Sequence, residues 1–360
     1  MTVVPMSPRD EIEGERSAGA ESPRRERLVA KDALLDRSLG ALWGAIGGDA
    51  VGAQTRFLAR AGRDRPYPQT SSSPMLRGEG TPLATVTTPN AELGAIFGEL
   101  LLEGEGHIDG PSLRAALIRW VDVNRESPRA VDPGISRALE DLERGVDPRV
   151  AGRYGDTNGC LPGAVIVGVA TPPRPLSALV DRVEEVCRLT HNTCIAIAGA
   201  AAVATAVSTG VEGAALVHAL GAGEEAAEIG AQRGYYVPGA NVAERIDWAL
   251  ELVAAGETAR SLALISELVG TGIQIQETVP AAFAVALLWP DDPWRVCLEA
   301  ARLGGDTSSV GAGAAAIAGS AAGLHAFPVD AREVVSSGDR LRLQDMAQGL
   351  LRLRRRGAAS

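Results

Sequence analysis

Five short segments carry most of the side chains able to do chemistry, and each lies at or beside an expected helix end. In Leu303-Gly304-Gly305-Asp306-Thr307-Ser308-Ser309, one carboxylate and three hydroxyls gather at the entry to a helix. Oxygen ligands there can hold a hard cation, or the helix N-terminus can hold a phosphate. Asp306 supplies the only formal charge, which is thin for a metal. Asp49 stands among glycines in Gly44–Gly52, at what reads as a tight turn ending a helix, where it either caps backbone N–H groups or meets a ligand. Thr88-Pro89-Asn90 reads as a helix start, with the proline forcing an extended entry. Tyr154–Gly163 interleaves Asp156 and Asn158 with glycines and reads either as a plain loop before a buried helix or as a nest exposing N–H groups to an anion, with Asp156 a candidate acid or base. Finally, His191 in Thr190-His191-Asn192-Thr193 can bind a phosphate, move a proton or cap the helix that follows.

Those segments must be positioned by a core almost free of aromatics. The chain has 360 residues, 46% hydrophobic but only 4% aromatic, so Ala, Val, Leu and Ile do the packing. With 45 acidic against 35 basic residues the net charge is -10, the wrong sign for a general nucleic-acid binder. Cys160, Cys187, Cys194 and Cys297 have no CxxC spacing and four histidines are scattered, so neither a disulfide scaffold nor a multi-histidine metal site is expected. Ala196–Ala206 is the most apolar run and falls short of a membrane span, while Asp10, Glu11 and Glu13 interrupt any secretion signal. The expectation is a cytoplasmic protein without a membrane partner.

Apolar residues at three- and four-residue spacing predict helices from Ala33 to Ile46 and from Ala91 to Glu103. Others are predicted at Leu113–Trp120, Ile135–Glu143, Leu176–Leu189, Thr193–Ser208 and Val211–Leu220. The last five are Val242–Ala255, Glu257–Leu268, Pro280–Leu288, Trp294–Leu303 and Ser309–Leu324. Strand alternation is nearly absent, and the fold class is all-α. Gly311, Gly313, Gly319 and Gly323 inside one predicted helix cost up to about 1 kcal/mol each relative to Ala, which a crowded central helix can absorb. Residues 1–28 read as a disordered tail, 29–345 as one compact multi-helix domain, and 346–360 as a basic end with Arg352–Arg356 solvated. Arg60–Pro89 reads as a long loop.

In this order the segments resemble the ADP-ribosylglycohydrolase family. GAIGGDAVGAQ is similar to its first helix and Gly-Asp-Ala turn, and LTHNTCIAIAGAAAVATAV to its central histidine segment. QETVPAAFAVALLWPDDPWRVCLEAARLGGDTSSVGAGAAAIAGSAAG is similar to its C-terminal signature, and the likeness runs over residues 33–328. The resemblance implies a compact all-α fold around a dinuclear Mg²⁺ site that orients a ribose for attack by water. Thr-Asp-Asp-Thr and Asp-Thr-Asp-Thr motifs supply that site in the family. Here the first falls on Thr88-Pro89-Asn90-Ala91 and the second on Asp306-Thr307-Ser308-Ser309, while Arg56 stands where many members carry a glutamate. Three of the four carboxylates are gone. Two cations about 3.5–4 Å apart need anionic screening that this set does not offer.

No resident metal or cofactor is therefore expected, Mg²⁺ being the one candidate. Asp156 and Asp306 are the candidate catalytic groups. Asp49, Arg56, Thr88, Asn90, Asn158, His191, Asn192, Thr307 and Ser308 are the candidate contacts to a small-molecule ligand. Arg56 either holds an anionic ligand or pairs with Asp306. Three readings stand at this point: a metal-independent enzyme on the family scaffold, a non-catalytic binding or regulatory protein, and a Mg²⁺-dependent ADP-ribosyl hydrolase with an unorthodox site. A buried carboxylate of raised pKa beside Arg56 favours the first, and an apolar cleft favours the second. The oligomeric state is left open.

Overall fold

The computed structural model describes residues 23–57, 88–124, 131–254, 256–336 and 343–358. The sequence divides into Met1–Ala33 and one compact unit, Leu34–Ser360. Among the described residues the regular structure is helical: α1 (Pro23–Ala53), α2 (Pro89–Glu103), α3 (Gly110–Asn124), α4 (Pro133–Glu143), α5 (Pro148–Ala151), α6 (Leu161–Ala170), α7 (Leu176–Cys187) and α8 (Cys194–Val211). These are followed by α9 (Leu216–Gly230), α10 (Val242–Ala254), α11 (Thr258–Leu264), α12 (Ile275–Leu288), α13 (Pro293–Ala300), α14 (Thr307–Ala322), α15 (Val329–Ser336) and α16 (Leu343–Gly357). Two isolated bridges, Thr157 with Gln274 and Thr193 with Tyr235, are the only extended pairings described.

Small side chains let the helices approach closely. α8 is the centre, almost wholly buried and packed by α6, α7, α9, α12 and α14. Its 18 residues are long and apolar enough to cross a membrane by length and composition, which corrects the expectation that no run reaches that length. Its surface is covered by other helices of this chain, so it is a core helix. A closer contact joins α1 to α14. A Cβ at Gly40, Gly44, Gly48 or Gly52 would overlap the carbonyl oxygen of Gly319, Ala315, Gly311 or Thr307 respectively. Four glycines at four-residue spacing thus form a seam on which a second backbone lies in contact, running antiparallel.

That seam explains two departures from expectation. α1 does not end at Ile46: Asp49 lies inside a helix continuing to Ala53, because the glycines serve helix–helix contact rather than a turn. Gly311, Gly313 and Gly319 are interior to α14, whereas Gly323, with φ +84°, ends it in a conformation that suits glycine. Elsewhere, the helix expected at Val211–Leu220 begins at Leu216, since Val211 is the last turn of α8. α5, α15 and α16 were not expected, and α6 was expected only as a buried helix of unstated bounds after the Tyr154–Gly163 loop. Residues 23–28 are helical rather than tail, 1–22 lie outside the described residues, and so does 58–87 of the expected loop. Within the basic end, Arg354 is 2% exposed and donates to the carbonyls of Gly168, Val169 and Thr171 at the end of α6, and to Ser208 and Glu212. A solvated tail is the wrong description of it.

Candidate functional site

The α1–α14 seam delivers Asp49 and the start of α14 to one place, and a turn closes the site beside them. Gly304 and Gly305 both have positive φ, and a Cβ on Gly305 would overlap the Thr271 carbonyl. The Asp306 N–H donates to that carbonyl at 2.6 Å, and the Phe57 N–H donates to the Gly305 carbonyl at 2.7 Å. Phe57 itself takes φ +61°, a strained value for a non-glycine residue, with the Arg56 guanidinium stacked over its ring. Backbone and ring together fix Arg56 just beyond the end of α1.

Asp306 is fully buried and receives three donors. Arg56 Nε approaches Oδ1 at 2.7 Å, Ser308 Oγ donates to Oδ1 at 3.0 Å, and Asn158 Nδ2 donates to Oδ2 at 2.8 Å. Of the two roles expected for Arg56, the ion pair with Asp306 is the one adopted. Asn158 also donates to Thr278 Oγ1 at 2.9 Å, and its backbone is held by Ile273. Thr307 is structural, donating to the Gly52 carbonyl at 2.8 Å across the seam.

Asp49 sits 1% exposed in α1 and accepts from Asn90 Nδ2 at 3.1 Å, and Asn90 reaches Ser309 Oγ at 3.4 Å. Its second oxygen, Oδ2, and the Thr88 hydroxyl are buried and make no well-aligned hydrogen bond among the described residues, though the hydroxyl stands close enough to act on the carboxyl. Burial pushes the Asp49 carboxyl up to about 7, against the pull of Thr88 and Asn90; the nearby Asp306 adds to the rise and Arg56 opposes it. Asp49 therefore exchanges its proton in the neutral range rather than the acidic one. Thr88 and Pro89 start α2 as expected, but no side chain caps it.

His191 belongs to a second cluster, joined to the first through Thr157, the chain neighbour of Asn158. It is fully buried; Nδ1 meets Thr190 Oγ1 at 2.8 Å and Nε2 meets Thr157 Oγ1 at 2.9 Å. Asp132, the N-cap of α4, lies 3.3 Å from Nε2 and accepts from Thr157 at 3.0 Å. Burial opposes the charged imidazolium, yet the negative side of Cys160 and Asp132 leaves its pKa raised. Asp132 was missed in the sequence, although Asp-Pro before an apolar period is an N-cap signal. Asn192 is held through its backbone by Gly152 and Tyr235, with Oδ1 buried and unpartnered among the described residues. Asp156 is half-buried, and its backbone carbonyl accepts from Ile275.

The donor set does not suit two cations. Among the described residues no three His, Cys, Asp or Glu side chains converge on a metal position. The carboxylate in the C-terminal motif is already bound to a guanidinium. A cation placed there would face the charge of Arg56.

Beside the carboxylates lies a chamber of about 60 Å³ that opens to solvent. Asn90, Asn158 and Ser309 are its polar wall, and the rest is apolar, from Ile46, Leu161, Val165 and Met346 among others.

A sequence model described as ADP-ribosylglycohydrolase matches residues 30–359. Among curated proteins, the uncharacterized protein YegU of Escherichia coli is 26% identical over 338 residues, covering 90% of this chain and 99% of its own. An uncharacterized protein of Archaeoglobus fulgidus is 28% identical over 271 residues, covering 75% of this chain and 81% of that one. A solved structure titled "ADP-ribosylglycohydrolase-related protein complex" superposes with a TM-score of 0.63 at 24% identity, over 89% of this chain and 99% of that one, a likeness of fold.

Proposed function

Since this chain belongs to the ADP-ribosylglycohydrolase family, we propose that its cleft is a metal-independent hydrolase site for a small glycosidic molecule. The observation that carries this is the buried Arg56–Asp306 ion pair beside a second buried carboxyl, Asp49, whose pKa burial raises. A tethered guanidinium takes the part of the lost cation's charge. A carboxyl with a pKa near 7 is matched to proton transfer at neutral pH.

In the proposed reaction, water attacks the anomeric carbon while the bond to the leaving group breaks. The water proton passes to Asp49 when the substrate uncovers its buried carboxyl, and Asp49 hands it on to the leaving group, so the site ends as it began; Asp156, half-buried, is the second candidate for that transfer. Asp306, saturated by three donors, serves as the fixed negative partner of the charge developing on the ring. Asn90 and Asn158 hold ring hydroxyls. No step runs through a metal. The apolar walls of the chamber support a second reading, a binding protein without turnover.

The test is turnover of nitrophenyl β-D-ribofuranoside, with calorimetric titration of ADP-ribose, in EDTA and again with Mg²⁺ restored. The expected result is release of nitrophenol at the same rate in both conditions, lost in Asp49→Asn. Turnover or ADP-ribose binding that appears only with Mg²⁺ overturns the proposal and restores a Mg²⁺-dependent hydrolase. Absence of turnover in both, with a ligand still bound, leaves the binding protein.

A further inference from the structure

We infer that the chamber between α1, α2, α6, α14 and α16 takes an uncharged apolar aglycone, with the glycosidic ring of the substrate at its polar end. The inference rests on the hydrolase reading of the neighbouring carboxylates and names the substrate class of that site.

The chamber is small, about 60 Å³, and opens to solvent on one side, from which a flat apolar group would enter. Among the described residues its lining holds no Lys, Arg, His, Asp or Glu. A diphosphate in such walls would be buried without compensating charge or hydrogen bonds, at large cost. An uncharged apolar group meets no such penalty and gains from leaving water. Polarity is confined to Asn90, Asn158 and Ser309; Asn90 is bonded to Asp49 and to Ser309, and Asn158 to Asp306. The chamber thus has a direction, an apolar body leading to a head where hydroxyls can be held and a bond broken.

Gly94 supports the same reading. It faces the chamber from α2, and a Cβ built on it meets nothing within 4 Å. That contrasts with the α1 seam glycines, each of which is filled by another backbone. At this wall a glycine borders open space, so larger side chains there would enter the chamber.

Fluorescence titration of the full chain with 1-naphthol and with 1-naphthyl β-D-ribofuranoside tests the inference, with ADP-ribose in parallel. Both naphthyl probes are expected to bind saturably with a blue-shifted emission, and the riboside to be hydrolysed without added metal. Gly94→Phe should weaken naphthyl binding at least tenfold while the protein still melts cooperatively. Gly94→Leu, a smaller intrusion, should give an intermediate loss and carries the test if the phenylalanine variant does not fold. Naphthyl binding unaffected by both variants, or binding of ADP-ribose with neither probe, overturns the inference and leaves the hydrolase reading standing. Naphthyl binding blocked at Gly94 without hydrolysis of the riboside keeps the chamber and removes the hydrolase reading instead.

Discussion

Asp49 carries the most informative titration in the molecule. Its carboxyl is raised from 3.8 to about 7, so between those values the folded chain holds a proton that the unfolded chain has released. Its contribution to stability is complete below pH 4, falls as pH rises, and is lost above pH 7. Asp49→Asn removes that dependence. Against the wild type, the variant should gain on the order of 2 kcal/mol in relative stability between pH 5 and pH 8. Denaturant melts at both pH values check it, and parallel profiles would mean that Asp49 ionises normally. Arg56 gives a second test. Arg56→Met strands a fully buried Asp306, and with Arg56 itself a quarter exposed the loss is expected at about 2 kcal/mol. Adding Asp306→Asn should recover at least half of it in a double-mutant cycle, and simple additivity would show that the two side chains act separately. At this scale the sequence already placed Asp49, Arg56, Asn90, Asn158 and Asp306 as candidates. It left open whether Arg56 pairs with Asp306, since distance across 250 positions of sequence is not readable from spacing, and it had no sign that Asp49 is desolvated.

Helices differ in what their glycines do, and that difference is measurable. Gly48→Ala pushes a methyl into the Gly311 carbonyl, a backbone atom that cannot swing aside. Gly94→Ala adds the same methyl to open space and removes the flexibility of a helical glycine. The first should destabilise by about 2 kcal/mol or more and the second stabilise by up to about 1 kcal/mol. Thermal melts compare them directly, and equal effects would remove the seam. The apolar periods of α2, α4, α7 and α10 were legible because one face is buried and the other wet. Helix α6 was legible only as an apolar stretch without bounds, since all but Pro162 of its residues are buried and periodicity vanishes when every side is inside. Helix α16 was hidden by arginines: Ala347, Leu350 and Leu351 form its buried face, and Arg354 reaches inward to cap α6.

For the whole molecule, the proposal that Arg56 stands in for a cation predicts indifference to divalent metal. Ligands that bind the folded state raise its melting temperature by mass action. Millimolar Mg²⁺, or EDTA in its place, should therefore leave the melting temperature unchanged within a degree, and a rise with Mg²⁺ would reveal a bound cation. The family and the all-α class were legible in three sequence segments, because the glycine pattern that builds the scaffold outlasts the carboxylates that once gave it chemistry. The chamber was not. Its walls come from five helices spread over the chain, and each contributes residues that look like ordinary core.

The glycine seam also sets an order of events. Residues 40–52 leave the ribosome long before residues 307–319, their partners in the seam. Synthesis proceeds from the N-terminus, and contacts so distant in sequence are slow to form. Until α14 emerges, the first helix presents a bare backbone groove with nothing to fill it, and Asp49 faces water as an ordinary carboxylate. The site is thus among the last parts of the protein to come into being, and its unusual acidity is acquired only when nearly the whole chain has been made.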